Sequence, residues 1–115
     1  MTVTIYHNAK CGTSRTVLGY LEEHGHKPHV IEYLKTPPSR EALKRLIEQM
    51  GVPVAGVVRW KEPVASEIGL SKSSSDDELL DAMIAHPILM NRPIVVTGKG
   101  AKLCRPSETV QELLG

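Results

Sequence analysis

The chain has 115 residues, enough for one compact domain with an ordinary apolar core. Hydrophobic residues make up 41% and Phe is absent, so Leu, Ile, Val and Met must fill that core. Lys plus Arg is 14 against Asp plus Glu at 13, a formal charge of +1, which gives no support for bulk attraction to nucleic acid or membrane and leaves a local basic site open.

The run Val3-Thr4-Ile5-Tyr6 predicts a first strand over residues 2–6. A helix follows over 13–23, with Val17, Leu18 and Leu21 on its apolar face and Gly25 just beyond it. A second strand is expected over 29–34, between Pro28 and the turn Thr36-Pro37-Pro38. Strand, helix and strand in this order suggest a right-handed βαβ unit. Ser39 then reads as an N-cap, Leu43, Leu46, Ile47 and Met50 as a helical face, and Gly51 as its C′ residue. Residues 53–70 are expected to hold short helices broken by Pro63 and Gly69. Ser71–Ser75 reads as a surface turn, and Ser75 with Glu78 as a capping box ahead of a helix that stops near His86-Pro87. Residues 94–97 and 101–104 make a hairpin around Gly98-Lys99-Gly100, and Ser107 reads as the cap of a last short helix through Val110 and Leu113. The expected class is α/β: one domain, 1–115, with a mixed four-stranded sheet flanked by helices and a helical insertion at about 53–88 separating the βαβ half from the hairpin half.

No stretch reads as a signal peptide or approaches the length of a membrane span. Cys11 and Cys104 are too far apart and too few for a disulfide framework, so a reducing, cytoplasmic setting is expected. Neither they nor the five histidines have the spacing of a metal site. With few aromatics and no obvious exposed apolar stripe, a monomer is the default.

Cys11 is the residue with chemical promise. It lies between a strand and a helix, in the string His7-Asn8-Ala9-Lys10-Cys11-Gly12-Thr13-Ser14-Arg15, which holds cations and hydroxyls and no acid. Free amides at a helix start and nearby cations both favour a thiolate. A dithiol enzyme wants Cys-x-x-Cys; here the fourth position is Ser14, so a redox cycle through Cys11 needs an outside thiol. Cys104, inside the expected hairpin, is a poor internal resolver. Arg92 and Arg105 each precede a proline, at opposite ends of the hairpin region, and arginine suits forked recognition of tetrahedral oxyanions.

These blocks, together with Tyr6-His7-Asn8, Tyr33-Leu34, Thr36-Pro37-Pro38, Val58-Arg59, the run from His86 to Val96 and Leu103-Cys104-Arg105-Pro106, resemble the glutaredoxin-linked arsenate reductases of thioredoxin-like fold. The match runs essentially end to end, and members of that family can continue past the last residues here. The resemblance implies a thioredoxin-like, glutaredoxin-like fold and a nucleophilic Cys11 that forms a thiol–arsenate adduct. It implies arsenate binding by Arg59, Arg92 and Arg105, support from His7, Ser14 and Arg15, and a cis-proline at Pro93. It implies glutathione as co-substrate, glutaredoxin as partner, and no tightly bound cofactor or metal. The alternative is a related thiol oxidoreductase or redox-linked regulator of the same fold without arsenate activity.

Overall fold

The computed structural model describes every residue from Met1 to Gly115. Four strands, β1 (Thr4–His7), β2 (His29–Glu32), β3 (Ile94–Thr97) and β4 (Gly100–Leu103), form one sheet in the order β2-β1-β3-β4. β1 and β2 are parallel, with His7 opposite Glu32. β3 is antiparallel to β1 and to β4, with Ile94 opposite both Tyr6 and Leu103. The expected mixed sheet is thus present, and its register brings four segments to one end. These are the residues after β1, after β2, before β3 and after β4.

The chain divides into two compact units, Met1–Thr36 with Arg92–Gly115, and Pro37–Asn91. In the first, helix α1 (Gly12–Glu23) buries Val17 and Leu21, which are four apart and so share a face. They pack with Val3 and Ile5 from the β1 segment, Val95 of β3, Cys104, and Val110 and Leu113 of a 3₁₀ helix (Ser107–Leu113). Burial of each large aliphatic side chain contributes roughly 1.5–3 kcal/mol. Thr97 Oγ1 donates to the Leu113 carbonyl at 2.8 Å and Lys99 Nζ to that of Leu114 at 3.0 Å, which ties the C-terminal helix to the hairpin.

In the second unit, Ser39 caps helix α2 (Arg40–Met50) by accepting the Ala42 N–H, and Gly51 ends it at φ 70°, a conformation only glycine adopts without penalty. Helix α4 (Asp76–Ala85) begins with the complete Ser75–Glu78 capping box. Leu43, Leu46 and Ile47 of α2 and Leu79, Leu80 and Met83 of α4 are buried. Arg40 links the two helices, donating to Asp81 and Asp77 at 2.7 Å each. No helix of either unit is long and apolar enough to cross a membrane.

Several boundaries differ from the sequence expectation. β1 runs Thr4–His7 against an expected 2–6, α1 starts one residue early at Gly12, and β4 runs Gly100–Leu103 against 101–104. Three further differences have a local cause. Pro63 starts the short helix α3 (Pro63–Glu67) instead of breaking one, because its fixed φ suits the first helical position, where no N–H is needed. β2 stops at Glu32, since the N–H groups of Lys35 and Thr36 both turn back to the Glu32 carbonyl at 2.9 Å. Ser107 lies inside the last helix and does not cap it; Pro106 occupies the cap position.

The capping box gives a clean stability test. Ser75→Ala should lower stability by about 1 kcal/mol. In urea titration this should reduce the midpoint at unchanged slope.

Candidate active site

The chain leaves β1 at His7 and turns into α1 with Cys11 at the N-cap position, φ −94° and ψ 121°. The turn is closed by short polar links. Asn8 is central: its N–H donates to Ser14 Oγ at 3.1 Å, its carbonyl accepts the Cys11 N–H at 3.0 Å, and its Oδ1 accepts the Lys10 N–H at 2.9 Å. Arg15 Nη1 donates to the Ala9 carbonyl at 2.8 Å and braces the outside of the turn. Ser14 is fully buried, and its Oγ also meets His7 Nδ1 at 2.6 Å. The hydroxyl therefore has two partners, and donating its proton to an unprotonated Nδ1 satisfies both groups. Burial agrees with that protonation state. It lowers the His7 pKa from its ordinary value, and Arg15 lowers it further against an opposing pull from Glu32.

The Cys11 thiol is half-buried. Burial pushes its pKa up, but the Ser14 amide, a hydrogen bond and positive charge from Arg105, and the Thr13 amide outweigh this and hold it below an ordinary thiol. Arg105 comes from beyond β4, 94 residues away in sequence. Its Nη1 lies 3.5 Å from Cys11 Sγ and 3.0 Å from the Arg92 carbonyl, which it uses as a second acceptor. Arg92 itself is only 6% exposed. The Arg92–Pro93 and Arg105–Pro106 bonds are both cis, and the Pro93 carbonyl accepts the Cys104 N–H at 2.9 Å.

One unit thus gathers Cys11, Arg92, Arg105, His7, Ser14, Arg15 and Pro93. Arg59 belongs to the other. There its Nη1 donates to Asn91 Oδ1 at 3.3 Å and its Nε lies 3.5 Å from Glu62 Oε1. Asn91 and Glu62 are positioning side chains that sequence reasoning missed, and so is Asn8. For Asn8 a signal existed: an Asn two residues before Lys10, at a strand exit, is the pattern of a side chain accepting its own turn's N–H.

Cys104 is completely buried, its thiol pushed up to about 12 by burial and by the charge of Glu112. No group of three or more His, Cys, Asp or Glu side chains gathers in a way that would hold a metal ion. Chemically, the site offers a single stabilised thiolate beside an arginine, at the end of a mixed sheet: a monothiol site on a thioredoxin-like scaffold.

Comparison with known proteins places the scaffold. The model of the ArsC family matches residues 6–113, and the chain belongs to that family. It is 53% identical over 115 residues to an arsenate reductase of Rhizobium meliloti (strain 1021), covering 99% of this chain and 82% of that one. To an arsenate reductase of Escherichia coli it is 51% identical over 113 residues, covering 97% and 80%. The solved structure of an arsenate reductase from Vibrio cholerae superposes with a TM-score of 0.94 at 48% identity, covering 99% of this chain and 98% of that one.

The thiol's environment predicts its reactivity. A lowered pKa moves the thiolate to the acid side of an ordinary cysteine, so the rate of Cys11 alkylation should reach half its plateau at a lower pH than a free cysteine peptide. Arg105→Ala removes a stabilising donor and charge and should move that midpoint to higher pH. Cys104 should stay unmodified until denaturant is added. Peptide mass spectrometry after pH-stepped iodoacetamide treatment measures all three.

Proposed function

We propose that this chain reduces arsenate to arsenite, with Cys11 as the nucleophile and glutathione and glutaredoxin as the source of electrons. The observation that carries the reading is the 3.5 Å contact between Arg105 Nη1 and Cys11 Sγ, since it joins a lowered thiol to an oxyanion-binding group. Membership of the ArsC family supports the choice of oxyanion.

The thiolate attacks arsenic and water leaves, giving a Cys11–S–As(V) adduct. Two anions must meet in this step, and their repulsion is the main electrostatic obstacle. Arg105 and Arg92, with Arg59 as the third arginine of the family pattern, neutralise arsenate charge and hold its oxygens by forked hydrogen bonds. A glutathione thiolate then attacks the Cys11 sulfur. The S–As bonding pair goes to arsenic, which becomes As(III) and departs as arsenite. The two sulfurs are left as a mixed disulfide, so the two electrons gained by arsenic equal those lost by sulfur. Glutaredoxin thiol takes the glutathionyl group and returns Cys11 as a thiolate. Ser14 supplies no second thiol, which is why the cycle draws on outside reductants. The Ser14 and Thr13 amides keep Cys11 a good nucleophile before attack and a good leaving group at the end. A monomer in a reducing cytoplasm suits this chemistry.

Arsenate-dependent NADPH oxidation, coupled through glutathione reductase and glutaredoxin, tests the proposal. Cys11→Ser should reduce the rate to background, and turnover near wild type overturns it. Arg92→Ala, Arg105→Ala and Arg59→Ala should each lower kcat/KM for arsenate by roughly tenfold or more, the loss of one charge-assisted hydrogen bond at about 1.5–3 kcal/mol.

A further inference from the structure

A small hollow of about 170 Å³ opens beside the Cys11 turn. It is lined by His7, Asn8, Ala9 and Lys10 from the β1 exit and by Glu32, Leu34 and Lys35 from the β2 exit. Its composition differs from that of the arginine site. Ala9 and the 41% exposed Leu34 offer apolar surface, two ammonium groups stand on Lys10 and Lys35, and one carboxylate on Glu32. The Lys10 ammonium has no salt bridge within the chain. Lys35 makes one with Glu32, but at 3.8 Å and with a side chain 77% exposed. Such a pair is worth about 0–1 kcal/mol and exchanges readily for a ligand.

Its position in the sheet gives the hollow meaning. Cys11 follows β1. Arg92 and Arg105 reach the thiol's end of the sheet from β3 and β4, on one side of β1, whereas Glu32, Leu34 and Lys35 leave β2 on the other. Displacement at sulfur runs in line: the incoming thiolate approaches opposite the bond that breaks. With the oxyanion on the β3–β4 side, a thiol attacking in line comes from the β2 side, where the hollow lies.

We infer that this hollow is the subsite for the reductant thiol, and that it takes a small zwitterionic thiol peptide with two carboxylates and one ammonium, the charge pattern of glutathione. Lys10 and Lys35 receive the carboxylates, Glu32 the ammonium, and Ala9 with Leu34 the peptide's carbon skeleton. Lys10, which lines the hollow, is the residue immediately before Cys11, and a tripeptide in extended form spans about 10 Å. The inference rests on the thiol-dependent reading above, but its test does not require arsenate.

The experiment measures Cys11 glutathionylation by mass spectrometry. Purified chain reacts with glutathione disulfide, in which the Cys11 thiolate displaces one glutathione thiolate and forms a mixed disulfide. A parallel reaction uses the uncharged hydroxyethyl disulfide. Lys35→Glu and Lys10→Glu should each slow the first reaction roughly fivefold to tenfold relative to the second, since reversal removes an attraction and adds a repulsion. Taking the ratio removes any general change in thiol reactivity, to which Lys10, next to Cys11, is most exposed. Lys35→Arg should restore the ratio, and thermal melts confirm that the variants are folded. Equal slowing with both disulfides, or no slowing, overturns the subsite. So does an unchanged glutathione ratio with a raised KM for glutaredoxin in the coupled assay, which would make this face a protein-docking surface. A chain that shows the predicted ratio yet reduces no arsenate keeps the subsite and loses the proposed substrate.

Discussion

The buried Ser14 hydroxyl joins the end of β1, the turn that follows and the first turn of α1. It accepts the Asn8 N–H and meets the His7 ring nitrogen. With Asn8 fixed, its carbonyl and side chain take the N–H groups of Cys11 and Lys10. The turn has then satisfied its own donors, and the Thr13 and Ser14 amides at the helix start act on the Cys11 sulfur. A buried donor left without its acceptor costs about 1–3 kcal/mol, so the arrangement is held more firmly than its few bonds suggest. A second cysteine at position 14 would trade this oxygen for a weaker acceptor and a different kind of chemistry.

The same thiol shows why opposing terms must be weighed. Half-burial raises its pKa and is the largest single influence, yet the amides and Arg105 together exceed it. At Cys104 burial is complete and the nearby Glu112 charge adds to it, so the thiol stays protonated. Two cysteines in one small unit are thereby given opposite characters. The sheet order extends that division of labour: the β3–β4 side supplies Arg92 and Arg105, and the β2 side supplies a hollow with lysines and a carboxylate.

Local chemistry made much of the fold legible. Ser39 and Gly51 bracket α2, Ser75 and Glu78 begin α4, and Pro87 follows the residue at which α4 stops. Cys11 itself was legible from the strand-to-helix junction around it. Pro63 is ambiguous in sequence because a proline reads equally as breaker or starter until the preceding backbone is known. The contact of Arg105 with Cys11 was not written in any local pattern. It depends on two strand registers, Tyr6 against Ile94 and Ile94 against Leu103, that carry a residue 94 positions away to the thiol. Family resemblance suggested the partners, but backbone pairing is the physical cause of their meeting. Asn8 is hard to single out in sequence because its role rests on three bonds that only the folded turn creates.

The sealed position of Cys104 has a consequence for how the chain records oxidation. With one thiol open to solvent and the other locked in the core, an oxidant finds no accessible pair to cross-link internally. Oxidation is then stored as a bond to a foreign molecule, and its reversal depends on the surrounding thiol pool. At the level of disulfide exchange, the state of Cys11 therefore follows the redox poise of the medium around it.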